Sequence, residues 1–169
     1  MTVTDTTTAA SSPPDSSAHD WVAGFAEGWR APSGPDGFAA HFRRLLGPEI
    51  RLIQPQLPTV VGHRAFEEQF VKPLFALIPD LRGEVERWAE RERTLYIELT
   101  LRGTLAGRPI TWRVCDRVTL REGVAVERES YFDPAPLIAA VAKTPRAWPL
   151  FLQLQARRLT TALKRRSER

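Results

Sequence analysis

The stretch from Pro109 to Pro134 limits what this chain can fold into more than any other part of it. Its apolar residues alternate with polar ones, the period-two signature of a half-buried strand. Ile110, Trp112, Val114, Val118 and Leu120 share one face, while Arg113, Cys115, Arg117, Thr119 and Arg121 take the other. Alternation resumes after Arg121-Glu122-Gly123 with Val124, Val126 and Phe132. A three-residue loop with Gly123 in the left-handed region, closed by a G1 bulge, is expected there. That loop pairs Leu120 with Val124, Val118 with Val126, Asp116 with Arg128, Val114 with Ser130 and Trp112 with Phe132. The inner face is then apolar except for Asp116, Arg128 and Ser130. A slip of one residue would bury Glu127 and Glu129 instead, so the pattern selects the face strongly. Three polar side chains on a dry sheet face are the best functional clue in the chain.

The rest of the sequence supplies helices and more strands. Residues 1–18 are an expected disordered arm of Thr, Ser, Ala, Pro and Asp, with almost nothing to bury. The arm has neither a basic start nor an apolar core, so it does not read as a secretory signal. A first helix is expected from about residue 19, with Trp21, Phe25 and Trp29 on one face. A loop covers 31–37, and a second helix spans 38–46, stopped by Gly47-Pro48. Residues 50–54 read as a short strand, and 63–78 as a third helix with Pro73 as a kink. Strands follow at 82–91 and 94–105, the second placing Leu95, Ile97, Leu99 and Leu101 on one face. This order is α+β, a curved sheet with helices on one side. The outer sheet face is a lattice of Glu98, Arg102, Arg113, Arg117, Glu127 and Glu129. It fits either a solvated face or a homodimer interface, which Tyr96 and Tyr131 would suit.

Composition enters where it excludes. The formal charge is +4, but residues 143–169 carry eight basic residues against one acidic. The high isoelectric point therefore describes a basic amphipathic tail at 144–169 rather than the domain at 19–143, and no specific nucleic acid is expected as a partner. That tail reads as a helix covering apolar surface, or as a tether to an acidic surface. No apolar run has the length of a membrane span. The single cysteine, Cys115, forbids an internal disulfide. Cytoplasmic localisation is the expectation.

In order, G-H-R-A-F-E-E-Q-F, I-P-D-L, I-E-L-T-L-R-G-T-L-A-G-R-P-I-T-W and D-R-V-T-L-R-E-G-V-A-V-E-R-E-S-Y-F-D-P resemble the nuclear transport factor 2-like superfamily, and within it SnoaL-like proteins. The resemblance covers roughly 19–140. It implies a cone-shaped, curved antiparallel sheet with helices packed on its concave face, enclosing an apolar pocket, and it implies homodimers. That superfamily includes polyketide cyclases, ketosteroid isomerases, limonene epoxide hydrolases and non-catalytic binding domains, among which fold cannot choose. Asp116 matches the strand aspartate of the isomerases and of the epoxide hydrolases. The isomerase base aligns with Gln54, its tyrosine falls near Phe25, the hydrolase arginine becomes Val114, and the last-strand aspartate becomes Ser130.

These residues define the expected site. Asp116 is the candidate acid or orienting group, with His63 as a candidate base at the pocket mouth. Trp21, Phe25, Gln54, Leu99, Trp112, Val114, Arg128, Ser130 and Phe132 are the expected contacts to a small hydrophobic, oxygenated metabolite. Asp116 and Arg128 also read as a simple buried pair. No spacing of histidines and carboxylates suggests a metal, and no glycine loop suggests a nucleotide, so no cofactor is expected. Two functions stay open: cofactor-free acid/base chemistry (cyclisation, isomerisation or hydration), and a non-catalytic ligand-binding or dimerisation module.

Overall fold

The computed structural model describes residues 16–143 except Gln56, together with residues 145, 148, 149 and 152. The chain begins with helices α1 (Ser16–Arg30) and α2 (Gly34–Arg43), then strands β1 (Leu46–Ile53) and β2 (Val60–Val61). A third helix, α3 (63–77), leads into β3 (Arg82–Arg91), β4 (Thr94–Leu105), β5 (Arg108–Arg121) and β6 (Val124–Tyr131). Helix α4 (Ala135–Ala142) follows. The six strands form one sheet in the order β2-β1-β6-β5-β4-β3. It is antiparallel throughout except where β1 runs parallel to β6.

Two-residue turns set the order of the last four strands. Ala106 and Gly107 have φ of 47° and 81°, and Glu122 and Gly123 have φ of 52° and 77°. Two positive values in succession make the tight turn whose twist matches that of the flanking strands. The β5–β6 loop is thus two residues long, one shorter than expected. A bulge between Thr119 and Leu120 admits one extra residue in β6 and turns Ala125 inward in place of Val124 and Val126. Beyond the bulge Asp116 pairs with Ser130 and Val118 with Arg128, two residues away from the expected register. Because a shift of two preserves the face, Asp116, Arg128 and Ser130 still point inward.

Two helix boundaries also differ from expectation. Helix α2 starts at Gly34, because Pro35 in the first turn has a suitable φ and needs no hydrogen-bond donor there. Gly47-Pro48 does not stop a helix but lies within β1, at an irregularity between Leu46 and Arg51 that accommodates the missing N–H. Helix α3 holds a surprise of its own. Between His63–Ala65 and Lys72–Leu77 the backbone widens to a π-helix over Phe66–Val71, where the Lys72 N–H donates to the Glu67 carbonyl five residues back. Pro73 follows directly, and its lack of an N–H removes the bond that would have continued the ordinary ladder.

The core lies between the concave sheet face and the helices. Leu95, Ile97, Leu99 and Leu101 of β4 are all buried, as their alternation requires. Phe25, Trp29, Phe38, Phe42, Phe66 and Phe70 pack above them, with Phe38 and Phe42 centroids 4.4 Å apart. Helix α2 approaches α1 at Gly24 and Gly28, where His41 Nε2 lies 2.8 Å from the Gly24 carbonyl. A Cβ at Gly28 would fall 2.6 Å from Phe42 Cε2. His41 is therefore a structural residue. On the convex face Arg117 bridges Glu127 and Glu129 at 3.1 and 2.7 Å, and Glu98 joins Arg87 and Arg113 at 2.8 and 3.4 Å. Exposed pairs of this kind contribute roughly 0–1 kcal/mol each.

The arm expected at 1–18 lies outside the described residues up to 15, while its residues 16–18 open α1 with Ala18 buried in the core; most of the tail expected at 144–169 also lies outside the described residues. Trp148, which is described, donates its indole N–H to the Val141 carbonyl at 3.1 Å. Among the described residues no helix is long and apolar enough to cross a membrane.

Two measurements check this packing. At Gly83 a Cβ would lie 2.7 Å from Leu101 Cδ2 and 3.1 Å from Trp29 Cβ, where α1 rests on the sheet. Gly83→Ala should therefore lower stability by about 1–3 kcal/mol in urea unfolding. Asp80 accepts from the Thr104 N–H at 2.6 Å and Thr104 Oγ1 at 2.7 Å, and these bonds hold its carboxyl below the ordinary value. A lowered native pKa stabilises above the unfolded carboxylate range and is lost as pH falls through the native value. The melting-temperature gap between wild type and Asp80→Ala should thus be widest near neutrality and close in acid.

Candidate functional site

The inner face of β5 and β6 carries a buried polar network in an apolar setting. Asp116 is wholly buried, and both its oxygens are engaged. Arg128 Nε donates to Oδ2 at 2.8 Å, and Ser130 Oγ donates to Oδ1 at 2.6 Å. Ser130 sits directly opposite Asp116, whereas Arg128 reaches it diagonally from its place opposite Val118. Aromatic rings enclose the guanidinium. Its Cζ lies 5.6 Å from the Phe25 and Trp29 centroids and 5.8 Å from that of Phe70, within cation–π range. A carboxylate and a guanidinium removed from water need this degree of mutual satisfaction to persist.

Beside the network lies a cavity of about 160 Å³. Its floor is the sheet, through Leu101, Leu105, Trp112, Val114, Arg128 and Ser130. One wall is α3, with Phe70, Pro73, Leu74 and Leu77, and the other is α4, with Leu137, Ile138 and Val141. Gln54 and Leu57, after β1, together with Trp29, Gln69, Ile78 and Phe132, add to it. Apolar side chains dominate, as is usual for a small-molecule site. Arg128 is the sole ionisable residue among the described lining.

The cavity brings together Gln54, Trp112, Val114, Arg128, Ser130 and Phe132 of the expected contacts. Trp21, Phe25 and Leu99 do not line it. Trp21 donates its indole N–H to the Leu45 carbonyl at 2.9 Å and stacks on Phe25, which backs Arg128 from the far side. Leu99 is core beneath the helices. Asp116 stands behind Arg128 and Ser130, off the lining. His63 also lies elsewhere, its Nε2 2.9 Å from the Leu46 carbonyl at the start of α3. Cys115, on the opposite side of β5 from Asp116, is half-buried, and burial raises its thiol pKa above the ordinary value.

Sequence reasoning placed Trp29 in the core and did not single it out as a contact, yet it lines the cavity. The spacing of Phe70, Leu74 and Leu77 signals a buried helix face, but period alone cannot separate packed core from cavity wall. Two buried donors among the lining residues, Trp29 Nε1 and Gln54 Nε2, have no hydrogen-bond partner among the described residues. Among the described residues no cluster of three His, Cys, Asp or Glu could hold a metal ion.

Comparison with known proteins agrees with this architecture. The profile of the SnoaL-like domain family matches residues 18–128. A SnoaL-like polyketide cyclase from Jannaschia sp. CCS1, so described provisionally, superposes with a TM-score of 0.67 at 22% identity, covering 80% of this chain and 99% of that one. TerC, co-crystallised with polyporic acid, gives 0.66 at 19% identity over 75% and 99% of the two chains. A Catenulispora acidiphila protein with a ketosteroid isomerase-like fold, crystallised with trimethylamine, gives 0.61 at 14% identity over 72% and 91%. At these identities the likeness speaks for the fold. No curated protein matches the chain.

The energetics of the network can be measured directly. Arg128→Met strands a buried carboxylate and should cost about 3–5 kcal/mol in urea unfolding. Removing both charges, in Asp116→Leu/Arg128→Met, should recover most of that loss. Equal losses in the two variants would show that packing around Arg128, not its charge, supplies the stability.

Proposed function

From the premise that the chain belongs to the SnoaL-like family, we propose that it binds a small hydrophobic, oxygenated metabolite in the cavity under the concave sheet face. The observation that carries this reading is an apolar cavity with a single buried polar end, formed by Arg128 and Ser130 on their Asp116 support. An apolar body is driven in by desolvation, and the polar end fixes which way round it lies. The solved neighbours named for polyketide cyclisation or crystallised with organic molecules support a small-molecule role. Asp116 then acts as a positioning residue, orienting a guanidinium and a hydroxyl that meet the ligand.

A second reading adds chemistry: cyclisation, isomerisation or epoxide hydration without a cofactor. What favours it is Ser130, which lines the cavity and donates to Asp116, so that a proton path runs from the ligand to a buried carboxylate. Against it stands the absence, among the described lining residues, of any carboxylate or histidine in contact with the cavity. The binding reading is the better supported.

Pairing of two copies through the convex sheet face belongs to the same proposal. Tyr96 and Tyr131 are 44% and 50% exposed there, amid charges of both signs that a two-fold partner could complement.

A thermal-shift screen against steroids, aromatic polyketides, terpene epoxides and fatty acids tests the reading. A stabilising hit that weakens in Asp116→Asn would support a ligand seated against the network, and silence in every class would remove the proposal. Chromatographic separation with mass and absorbance detection after incubating the hit decides the chemistry: product with wild type and none with Asp116→Asn favours the second reading, whereas unchanged ligand favours binding alone.

A further inference from the structure

Among the described residues, the cavity holds buried donors with nothing to donate to. Trp29 is 1% exposed, and its indole Nε1–H has no hydrogen-bond partner among them. Gln54 Nε2 is buried and equally unpartnered among those residues. Arg128, 6% exposed, gives Nε to Asp116, and its two terminal nitrogens have no hydrogen-bond partner among the described residues. All three residues line the same cavity.

They are also neighbours. Arg128 Cζ is 5.6 Å from the Trp29 ring centroid. The parallel register of Leu52 with Arg128 and Ile53 with Glu129 brings Gln54 alongside Ser130, on the face that Leu52 and Arg128 share. Trp29 turns its Cε3 edge toward Gly83 on β3, which leaves the indole N–H edge away from that strand.

The chemistry of these groups is one-sided. An indole N–H and a guanidinium donate and cannot accept. The amide of Gln54 can present either end, so Trp29 and Arg128 define the preference. Asp116 takes only the Nε side of the guanidinium and turns its other oxygen to Ser130, so the edge formed by the two terminal nitrogens stays open to a second carboxylate. No acidic side chain among the described lining opposes an anion. Apart from Gln69 and Ser130 the remaining wall is aromatic and aliphatic, through residues such as Phe70, Trp112 and Phe132. At about 160 Å³ the space compares with the roughly 150 Å³ apolar cavity that admits benzene.

We propose that this end of the cavity is a receptor for an anionic oxygen on a flat aromatic ring, a carboxylate or an acidic phenol. The terminal nitrogens of Arg128 and the Trp29 indole N–H take that oxygen, with Gln54 as a third contact. The proposal deepens the binding reading above and rests on it.

Matched probes test it. Calorimetric titration of the full chain with benzoate and 2-naphthoate is set against toluene and 2-methylnaphthalene, which keep the shape without the charge. A carboxylate held by charged donors should bind about tenfold or more tightly than its methyl counterpart. In the ¹⁵N–¹H spectrum, the indole resonance that disappears in Trp29→Phe should move with the carboxylates and not with the hydrocarbons. In Asp116→Leu/Arg128→Met, which leaves no lone buried charge, the preference for carboxylate should vanish. Should that variant not fold, the wild-type Trp29 resonance decides alone. Hydrocarbons binding as tightly as carboxylates, with the Trp29 signal unmoved, overturn the receptor and leave the cavity as a ligand site. Failure of all four probes to bind overturns both.

Discussion

The structure depends on one buried ion pair and on what had to be built around it. Asp116 and Arg128 face the core from neighbouring strands, the carboxylate wholly buried and the guanidinium nearly so. The carboxylate is stabilised because each oxygen receives a donor, one from Arg128 and one from Ser130. The guanidinium is stabilised differently, by that carboxylate and by the faces of Phe25, Trp29 and Phe70. Those rings come from α1 and α3, so the pair binds sheet to helices as well as strand to strand. A buried pair is weak evidence of net stability, but breaking it from one side is severe. Any rearrangement that separates β5 from β6 leaves an unpaired charge in an apolar interior, and one that lifts α1 from the sheet strips Phe25 and Trp29 from the guanidinium. The pair thereby selects against misregistered sheets more than it adds to the stability of the correct one.

The elements legible in the sequence are those whose pattern is local. Strand β4 was readable end to end, because Leu95, Ile97, Leu99 and Leu101 alternate without interruption and two-residue turns flank it. The inward face of β5 and β6 was readable for the same reason. Their register was not, because it turns on whether Arg121-Glu122-Gly123 forms a three-residue loop or Glu122-Gly123 a two-residue one. Glu122 adopts φ of 52°, a conformation uncommon for residues with a side chain, and the bulge in β6 absorbs the difference. Period-two alternation is blind to a slip of two. That is why the polar triad was identified correctly while its pairing was displaced.

The candidate site divides along the same line. Trp112, Val114, Arg128, Ser130 and Phe132 were accessible to sequence reasoning because they share one face of the β5–β6 hairpin, and Gln54 through its expected place at the end of the first strand, which it directly follows. The walls contributed by α3 and α4 were not, since a helix facing a cavity and a helix facing packed core show the same period. Trp21 and Trp29 illustrate the limit well. Both lie on the buried face of α1, but Trp21 spends its N–H on the Leu45 carbonyl while Trp29, beside the cavity, finds no partner for its own among the described residues. Nothing in a list of residues separates them. The difference is in where the neighbouring backbone carbonyls fall.

The two faces of the same hairpin show how environment assigns roles to similar side chains. On the convex face Arg117 is shared between Glu127 and Glu129, and water competes for every one of those charges. Such pairs tolerate exchange and contribute little. Eleven residues from Arg117, on the concave side, Arg128 meets a single carboxylate, and both side chains are buried. There the geometry of one Nε–Oδ2 contact decides which edge of the guanidinium remains available. Asp116 is thus best understood through what it withholds and what it leaves. It neutralises the charge enough for burial, occupies one side of the fork, and leaves the terminal edge as the strongest donor at the cavity. Gln54 and Ser130, neutral side chains on the cavity lining, fit the same logic. A second acid beside that edge would close the fork and leave only the neutral donors of Trp29 and Gln54 for a ligand.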